Sequence, residues 1–122
     1  MNTAADRLGA DRAPADAAPA PPHATPWPVE HVPTPFEQEV VDAVGSTEPG
    51  DLVTYGDLAV ELGHPGAGQA VANVLRHAPD VPWWRVVPAD GRLYRSHAPT
   101  QRPLLEAEGH VVDDHRRVHA AG

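Results

Sequence analysis

Apolar positions recur at helical spacing in four stretches of this chain, and local start and stop signals bound most of them. In the first, Phe36, Val40, Val41 and Val44 share a face. Thr34-Pro35-Phe36-Glu37 ahead of them supplies a hydroxyl N-cap, a proline at the first helical position and a glutamate at N3. The pattern predicts a helix over 35–45, stopped at Gly45 and bearing Glu37, Glu39 and Asp42 toward its positive end. Leu52-Val53 reads as a short extended lead-in, and Thr54-Tyr55-Gly56-Asp57 repeats the hydroxyl-x-x-acid cap before Leu58, Ala59 and Leu62. Gly63 ends that second helix, and His64-Pro65-Gly66 makes a tight turn.

The third helix, over about 66–77, turns Ala67, Ala70, Val71, Val74 and Leu75 inward and Gln69, Ala72, Asn73 and Arg76 outward. Two short helices joined by a glycine-containing turn, the second with an outer face of amides and arginine, form the helix-turn-helix pattern. Beyond Pro79 the helical period stops. Val81–Val87 reads as extended, Ala89-Asp90-Gly91-Arg92 as a turn in a small wing, and 100–108 as a last helix. In that helix Thr100 would be the cap, Pro103 would lie in the first turn, and Gly109 would be the stop. The expected fold is mainly α: a single winged helix-turn-helix-like domain with a small β element, preceded by a disordered leader.

Composition sets the boundaries. The first 35 residues hold eight of the fifteen prolines, many alanines and few bulky apolar side chains. Such a segment buries too little surface to offset its chain entropy, so 1–33 is expected as a disordered Ala/Pro-rich leader, 34–112 as the domain and 113–122 as a frayed polar tail. The leader has no apolar run of signal-peptide length, and no segment is apolar enough to span a membrane. The chain contains no cysteine, which removes disulfides, thiolate metal sites and cysteine nucleophiles and makes a reducing cytoplasmic setting the expectation. His115 and His119 stand at i, i+4 but lack a third ligand, so no metal and no cofactor is expected.

The formal charge of −8 argues against nucleic acid as a partner. Its distribution weakens that objection. Seven acids lie between Glu37 and Glu61 with no basic residue among them, whereas Arg76, Arg85, Arg92 and Arg95 fall within twenty residues of one another.

The order of motifs then resembles a family. Val53-Thr54-Tyr55-Gly56-Asp57-Leu58-Ala59, Pro65-Gly66-Ala67-Gly68-Gln69-Ala70-Val71, Pro82-Trp83-Trp84-Arg85-Val86-Val87 and Leu104-Leu105-Glu106-Ala107-Glu108-Gly109 are similar to the DNA-binding domain of O6-alkylguanine-DNA alkyltransferases. The likeness runs from Phe36 to Gly109, with no counterpart of that family's separate N-terminal domain. The family hallmark is Pro-Cys-His-Arg-Val. Here Trp83 replaces the cysteine and Trp84 the histidine, the mark of the alkyltransferase-like proteins, which bind the lesion without removing it. Chemistry agrees: dealkylation needs a thiolate-class nucleophile, and indole nitrogen is a donor with no useful nucleophilicity.

The resemblance implies no catalytic residue and two groups of binding residues. Tyr55, Gln69, Ala72, Asn73 and Arg76 would meet DNA, with Tyr55 pressing on the phosphate beside the lesion and Arg76 contacting a phosphate. Pro82, Trp83, Arg85, Val86 and Tyr94 would form the lesion pocket. Neighbours in a strand point to opposite faces, so at most one of the two tryptophans is expected to face it, and the resemblance implies that it is Trp83. Glu108, which in the enzymes orients the histidine, would keep a structural role, and Tyr94 stands fourteen residues before it at the family spacing. Gln69 replaces the customary inserted arginine and Ala78 a customary asparagine, while Arg95 and His97 replace small residues of the pocket loop. The implied function is a monomeric, non-enzymatic sensor that flips O6-alkylguanine out of duplex DNA and flags it for nucleotide excision repair. Two other readings stay open: a winged-helix binder or regulator without lesion specificity, and a hydrolase using Glu108 or Asp90.

Overall fold

Local signals build α1, Pro35–Gly45, as the sequence predicts. Both halves of the capping box are present: Glu37 N donates to Thr34 Oγ1 at 3.1 Å, and Thr34 N donates to Glu37 Oε1 at 2.9 Å. The computed structural model describes residues 19–120, so the expected disorder of 1–18 and the last two residues of the tail lie outside the described residues. After α1 come β1 (Val53–Thr54), α2 (Tyr55–Glu61) and α3 (Gly68–His77). A single 3-10 turn, Trp83–Arg85, then leads into β2 (Val86–Val87), followed by α4 (Ala98–Ala107), β3 (Val111–Val112) and β4 (Val118–His119). This is a mainly helical, helix-turn-helix-type domain with two small sheets.

The helix pair is α2 and α3. Thr54 caps α2 by accepting from Asp57 N at 3.0 Å, and Gly63, at φ 84, ends its last turn. A Cβ on Gly68, the first residue of α3, would lie 3.3 Å from Gly56 N in the first turn of α2. The helices therefore meet backbone to backbone, with so little room that a Cβ at that position would require a small shift of the neighbour. Val71, Val74 and Leu75 of α3 are buried against Val40 and Val44 of α1 and Leu58 and Ala59 of α2, with Trp83 and Val86 closing the same core. A second core joins Val87, Leu93, Ala98, Leu105, Val112 and Val118. Trp84 packs against both.

Pairing distant in sequence fixes the loops. β1 runs parallel to β2 with Val53 opposite Val86 and Thr54 opposite Val87. β3 and β4 form an antiparallel hairpin, and residues 91–93 run beside it through Val118 N donating to Gly91 O and Leu93 N to Arg116 O. The wing is therefore this three-segment unit.

Four expectations are corrected. Val81–Val87 is not a continuous strand, because Arg85 N donates to Pro82 O and winds the tryptophans into a turn. The last helix begins at Ala98 with His97 as its cap residue, so Pro99 occupies the first turn and Pro103 lies inside the helix. The segment after 112 is not frayed: Asp113 Oδ1 accepts from His115 N and Arg117 N, and its Oδ2 lies 3.0 Å from His119 Nε2. His115 and His119 accordingly sit in a hairpin and not at helical spacing. Residues 19–33, expected to be disordered, pack on α3 through Thr25 N to Arg76 O and Trp27 N to His77 O, with Trp27 stacked on His31. Among the described residues no helix is long and apolar enough to cross a membrane.

Candidate nucleic-acid interface

The outer face of α3 carries Gln69, Asn73 and Arg76, all exposed, with Ala72 half-buried between them. Gln69 Nε2 donates to Asn73 Oδ1 at 3.4 Å, so the two amides hold each other along the helix. No side chain caps the start of α3, whose N-cap residue is Ala67. That leaves the first amide N–H groups without a side-chain acceptor at the end of the dipole that favours anions.

Beside this face opens a cavity of about 270 Å³ lined by Tyr55, Gln69, Ala72, Leu75, Arg76, Trp83, Tyr94, His97 and Pro21. Five elements supply it. Tyr55 enters from the first turn of α2; Gln69, Ala72, Leu75 and Arg76 come from one side of α3; Trp83 forms part of the lining from the 3-10 turn. Tyr94 and His97 come from the loop before α4, and Pro21 from the N-terminal segment. Tyr55 and Tyr94 stack with centroids 6.0 Å apart and planes 23° apart, and His97 packs against both Tyr94 and Trp83 at 5.5 Å. Burial, reinforced by the neighbouring Tyr94 hydroxyl, pushes the Tyr55 phenol far above its usual range, so it stays a neutral donor. Burial also lowers the pKa of His97, with the charges of His23 and Arg76 acting in the same direction. The result is a cleft whose wall carries four aromatic rings and one cation, Arg76, beside a polar helix face.

Not every residue assigned to the pocket lines it. Trp83 does, and it is 3% exposed. Trp84 turns away and donates from Nε1 to Glu108 Oε2 at 2.8 Å. The two rings stand edge to face at 85° on a helical turn, so a turn and not strand alternation separates them. Arg85 does not reach the cleft. It is 7% exposed, and a guanidinium that buried needs partners. Glu108 accepts from its Nε and Nη2, the latter at 2.8 Å, and Thr47 O accepts from Nη1 at 2.8 Å. Val86 is fully buried in the first core, and Pro82 is outside the lining. Asn73 lines a separate shallow groove with Thr34, Phe36 and His77.

Glu108 ties these elements together. It accepts from Trp84, Arg85 and Gly50 N (3.1 Å), joining the loop after α1, the 3-10 turn and the end of α4. Burial of its carboxyl alone would raise the pKa, but the hydrogen bonds from Arg85, Trp84 and Gly50 outweigh it and the net shift is downward. Gln101, buried and unnoticed in the sequence, donates to Trp84 O at 3.0 Å and to Val86 O at 3.3 Å, fixing the same turn from α4. Pro21 and Leu75 were also not foreseen as lining residues. Leu75 belongs to the inward stripe, which gives no hint that one end of it borders a cavity.

Residues 35–110 match the family model described as 6-O-methylguanine DNA methyltransferase, DNA binding domain. The chain belongs to this family. It is 37% identical over 84 residues to the methylated-DNA–protein-cysteine methyltransferase of Salmonella typhimurium, covering 65% of this chain and 49% of that protein. It is 37% identical over 82 residues to the DNA base-flipping protein of Escherichia coli, covering 63% of this chain and 64% of that protein. The crystal structure of S. pombe Atl1 in complex with damaged DNA containing O6-carboxymethylguanine aligns with a TM-score of 0.60 at 29% identity, over 64% of this chain and 79% of Atl1. The chain thus spans about half the length of the Salmonella enzyme. Within the family it is an alkyltransferase-like member: the chain contains no cysteine, and Trp83 stands in the hallmark position.

Proposed function

We propose that this protein binds O6-alkylguanine in duplex DNA, receives the flipped base in the Trp83 cleft and marks it for nucleotide excision repair without chemical change. The observation that carries this reading is Trp83 lining an aromatic cavity directly beside the exposed face of α3. Flipping a base costs a few kcal/mol. Base–aromatic contacts return roughly 1–3 kcal/mol each, so contact with two of Tyr55, Trp83 and Tyr94 offsets the extrusion. O6-alkylation helps further, because a poorly paired base costs less to extrude.

In this arrangement α3 meets the DNA, Arg76 and the uncapped amides at its start face phosphates, and Gln69 enters the space of the departed base as a neutral hydrogen-bonding group. The protein offers no thiolate to accept an alkyl group. It acts as a monomer at the nucleoid. Gln69 and the acidic balance favour one second reading, a winged-helix binder that reads undamaged sequence.

Anisotropy titrations on matched duplexes with and without O6-methylguanine test the proposal. Tighter binding to the lesion is expected, with the preference lost in Tyr55→Ala and Trp83→Ala while circular dichroism is unchanged. Equal affinity for both duplexes would sink it. After incubation with lesion DNA, mass spectrometry should show protein and base both unaltered.

A further inference from the structure

The N-terminal segment is part of the cleft. Pro21 is buried and lines the cavity together with Leu75 and Trp83. Trp83 Nε1 donates to Pro19 O at 2.7 Å. A buried indole N–H needs an acceptor, and here a backbone carbonyl ahead of the domain supplies it. The next residues are held just as specifically. Ala24 N donates to Pro21 O at 3.1 Å, closing a turn whose third residue, His23, sits at φ 61, in the left-handed region that a side chain rarely adopts. Thr25 N and Trp27 N then donate to Arg76 O and His77 O at 3.0 and 3.1 Å. Those carbonyls belong to the last turn of α3, where no intrahelical donor remains. The Trp27 ring covers the junction, stacked between His31 at 4.5 Å and His77 at 6.4 Å.

Pro21 also divides two spaces. On one side is the base cleft of about 270 Å³; on the other a cavity of about 160 Å³ is lined by Pro19, Ala24, Pro26, Ala78 and Val81 among others. Pro21, Arg76 and Trp83 border both. With the partition in place the cleft falls below the ~300–1,000 Å³ of pockets that enclose drug-sized ligands.

We infer that residues 19–27 are a specificity-determining wall of the cleft: Pro21 limits the size of the O6 substituent, and Trp27 positions Pro21 without touching the base. This inference rests on the lesion-binding reading above. A small alkyl group fits beside the Pro21 ring, and a bulky aralkyl group meets it. Moving the ring aside opens the second, largely apolar space to the larger substituent.

Full-length protein is titrated with duplexes carrying guanine, O6-methylguanine or O6-benzylguanine. Wild type should prefer methyl over benzyl. Pro21→Gly, which deletes the partition, and Trp27→Ala, which loosens it from outside, should each shift the benzyl-to-methyl affinity ratio toward benzyl by roughly tenfold, the size of effect a methylene-scale misfit has in an apolar pocket. Affinity of Trp27→Ala for unmodified duplex should be unchanged, which shows that the fold and the α3 face survive. If Pro21→Gly does not fold, Trp27→Ala alone decides. An unchanged ratio in folded variants, or a wild type that binds benzyl as tightly as methyl, overturns the wall while leaving lesion binding intact. A wild type with no lesion preference overturns both.

Discussion

The residue that most sharply separates a structural role from a binding role is Arg85. It sits between two tryptophans and a buried strand, and in sequence it looks like part of the pocket motif. Its guanidinium instead completes the Glu108 network, with both side chains about nine-tenths buried. Removing one partner of a buried ion pair leaves the other charge stranded, at a cost of ~3–5 kcal/mol. Glu108→Ala should therefore lose about that much in urea denaturation. Glu106→Ala, one turn away and 3.7 Å from Arg102 in a half-exposed i, i+4 pair, should change stability by less than about 0.5 kcal/mol. Equal losses in the two variants would show that the network contributes nothing special. His97 makes a second prediction at this scale. Its pKa is lowered in the folded protein, chiefly by burial, from an ordinary 6.5. On acidification the unfolded chain takes up this proton first. Stability from His97 is thus fully present above pH 6.5 and declines as the pH falls from there toward the lowered folded value. Between pH 7.5 and 5.5, wild type should lose more unfolding free energy than His97→Asn, and parallel losses would contradict the assignment.

Among the elements, the contact between α2 and α3 is the most constrained, because Gly68 meets the backbone of Gly56. Gly68→Ala gains ~1 kcal/mol of helix propensity but must push a Cβ into an atom 3.3 Å away. Overpacking of this kind costs ~1–3 kcal/mol. Gly68→Val adds two methyls and loses propensity relative to alanine. The expected order of melting temperatures is wild type at or above Gly68→Ala, with Gly68→Val well below both; a valine variant as stable as wild type would mean the helices sit further apart. How much of each element the sequence reveals follows from how local its causes are. α1 was legible to the residue because Thr34, Pro35 and Glu37 are its own start signal. The buried and exposed stripes of α3 follow from period alone. The start of α4 was misplaced because His97 caps it with no side-chain hydrogen bond, while Thr100 offered a conventional hydroxyl. The 3-10 turn was unreadable because proline-flanked tryptophans suit a strand equally well, and what winds them is Gln101 and Glu108 from another element. In the site, Tyr55, Ala72, Arg76 and Trp83 were legible from motif order, whereas Pro21 was hidden by a composition that argues for disorder. Trp27, a bulky apolar side chain in that segment, was the signal available.

For the molecule as a whole, charge decides how it can hold DNA. A net −8 is unusual for such a partner, and the fate of the arginines makes the constraint sharper. Seven lie among the described residues: Arg76, Arg85, Arg92, Arg95, Arg102, Arg116 and Arg117. Arg85 is committed to Glu108 and Thr47. Arg102 donates to Val112 O and Asp113 O, Arg116 to Leu93 O and Arg117 to Asp90 O, so these three hold the hairpin and the wing together. Arg76, Arg92 and Arg95 remain exposed, and Arg76 borders the cleft. Each neutralised phosphate contributes about −0.9 to the slope of log affinity against log salt. The three exposed guanidiniums among the described residues therefore account for a slope of about −3, far shallower than that of a basic repressor. On the proposed function, affinity then comes mainly from a flipped base in the aromatic cleft, and lesion preference should persist at salt concentrations that abolish binding to unmodified duplex. Salt titrations on both duplexes measure this directly. Arg76→Ala should flatten the slope by about one on either duplex, and a wild-type slope near −6 would require phosphate contacts that these arginines cannot supply.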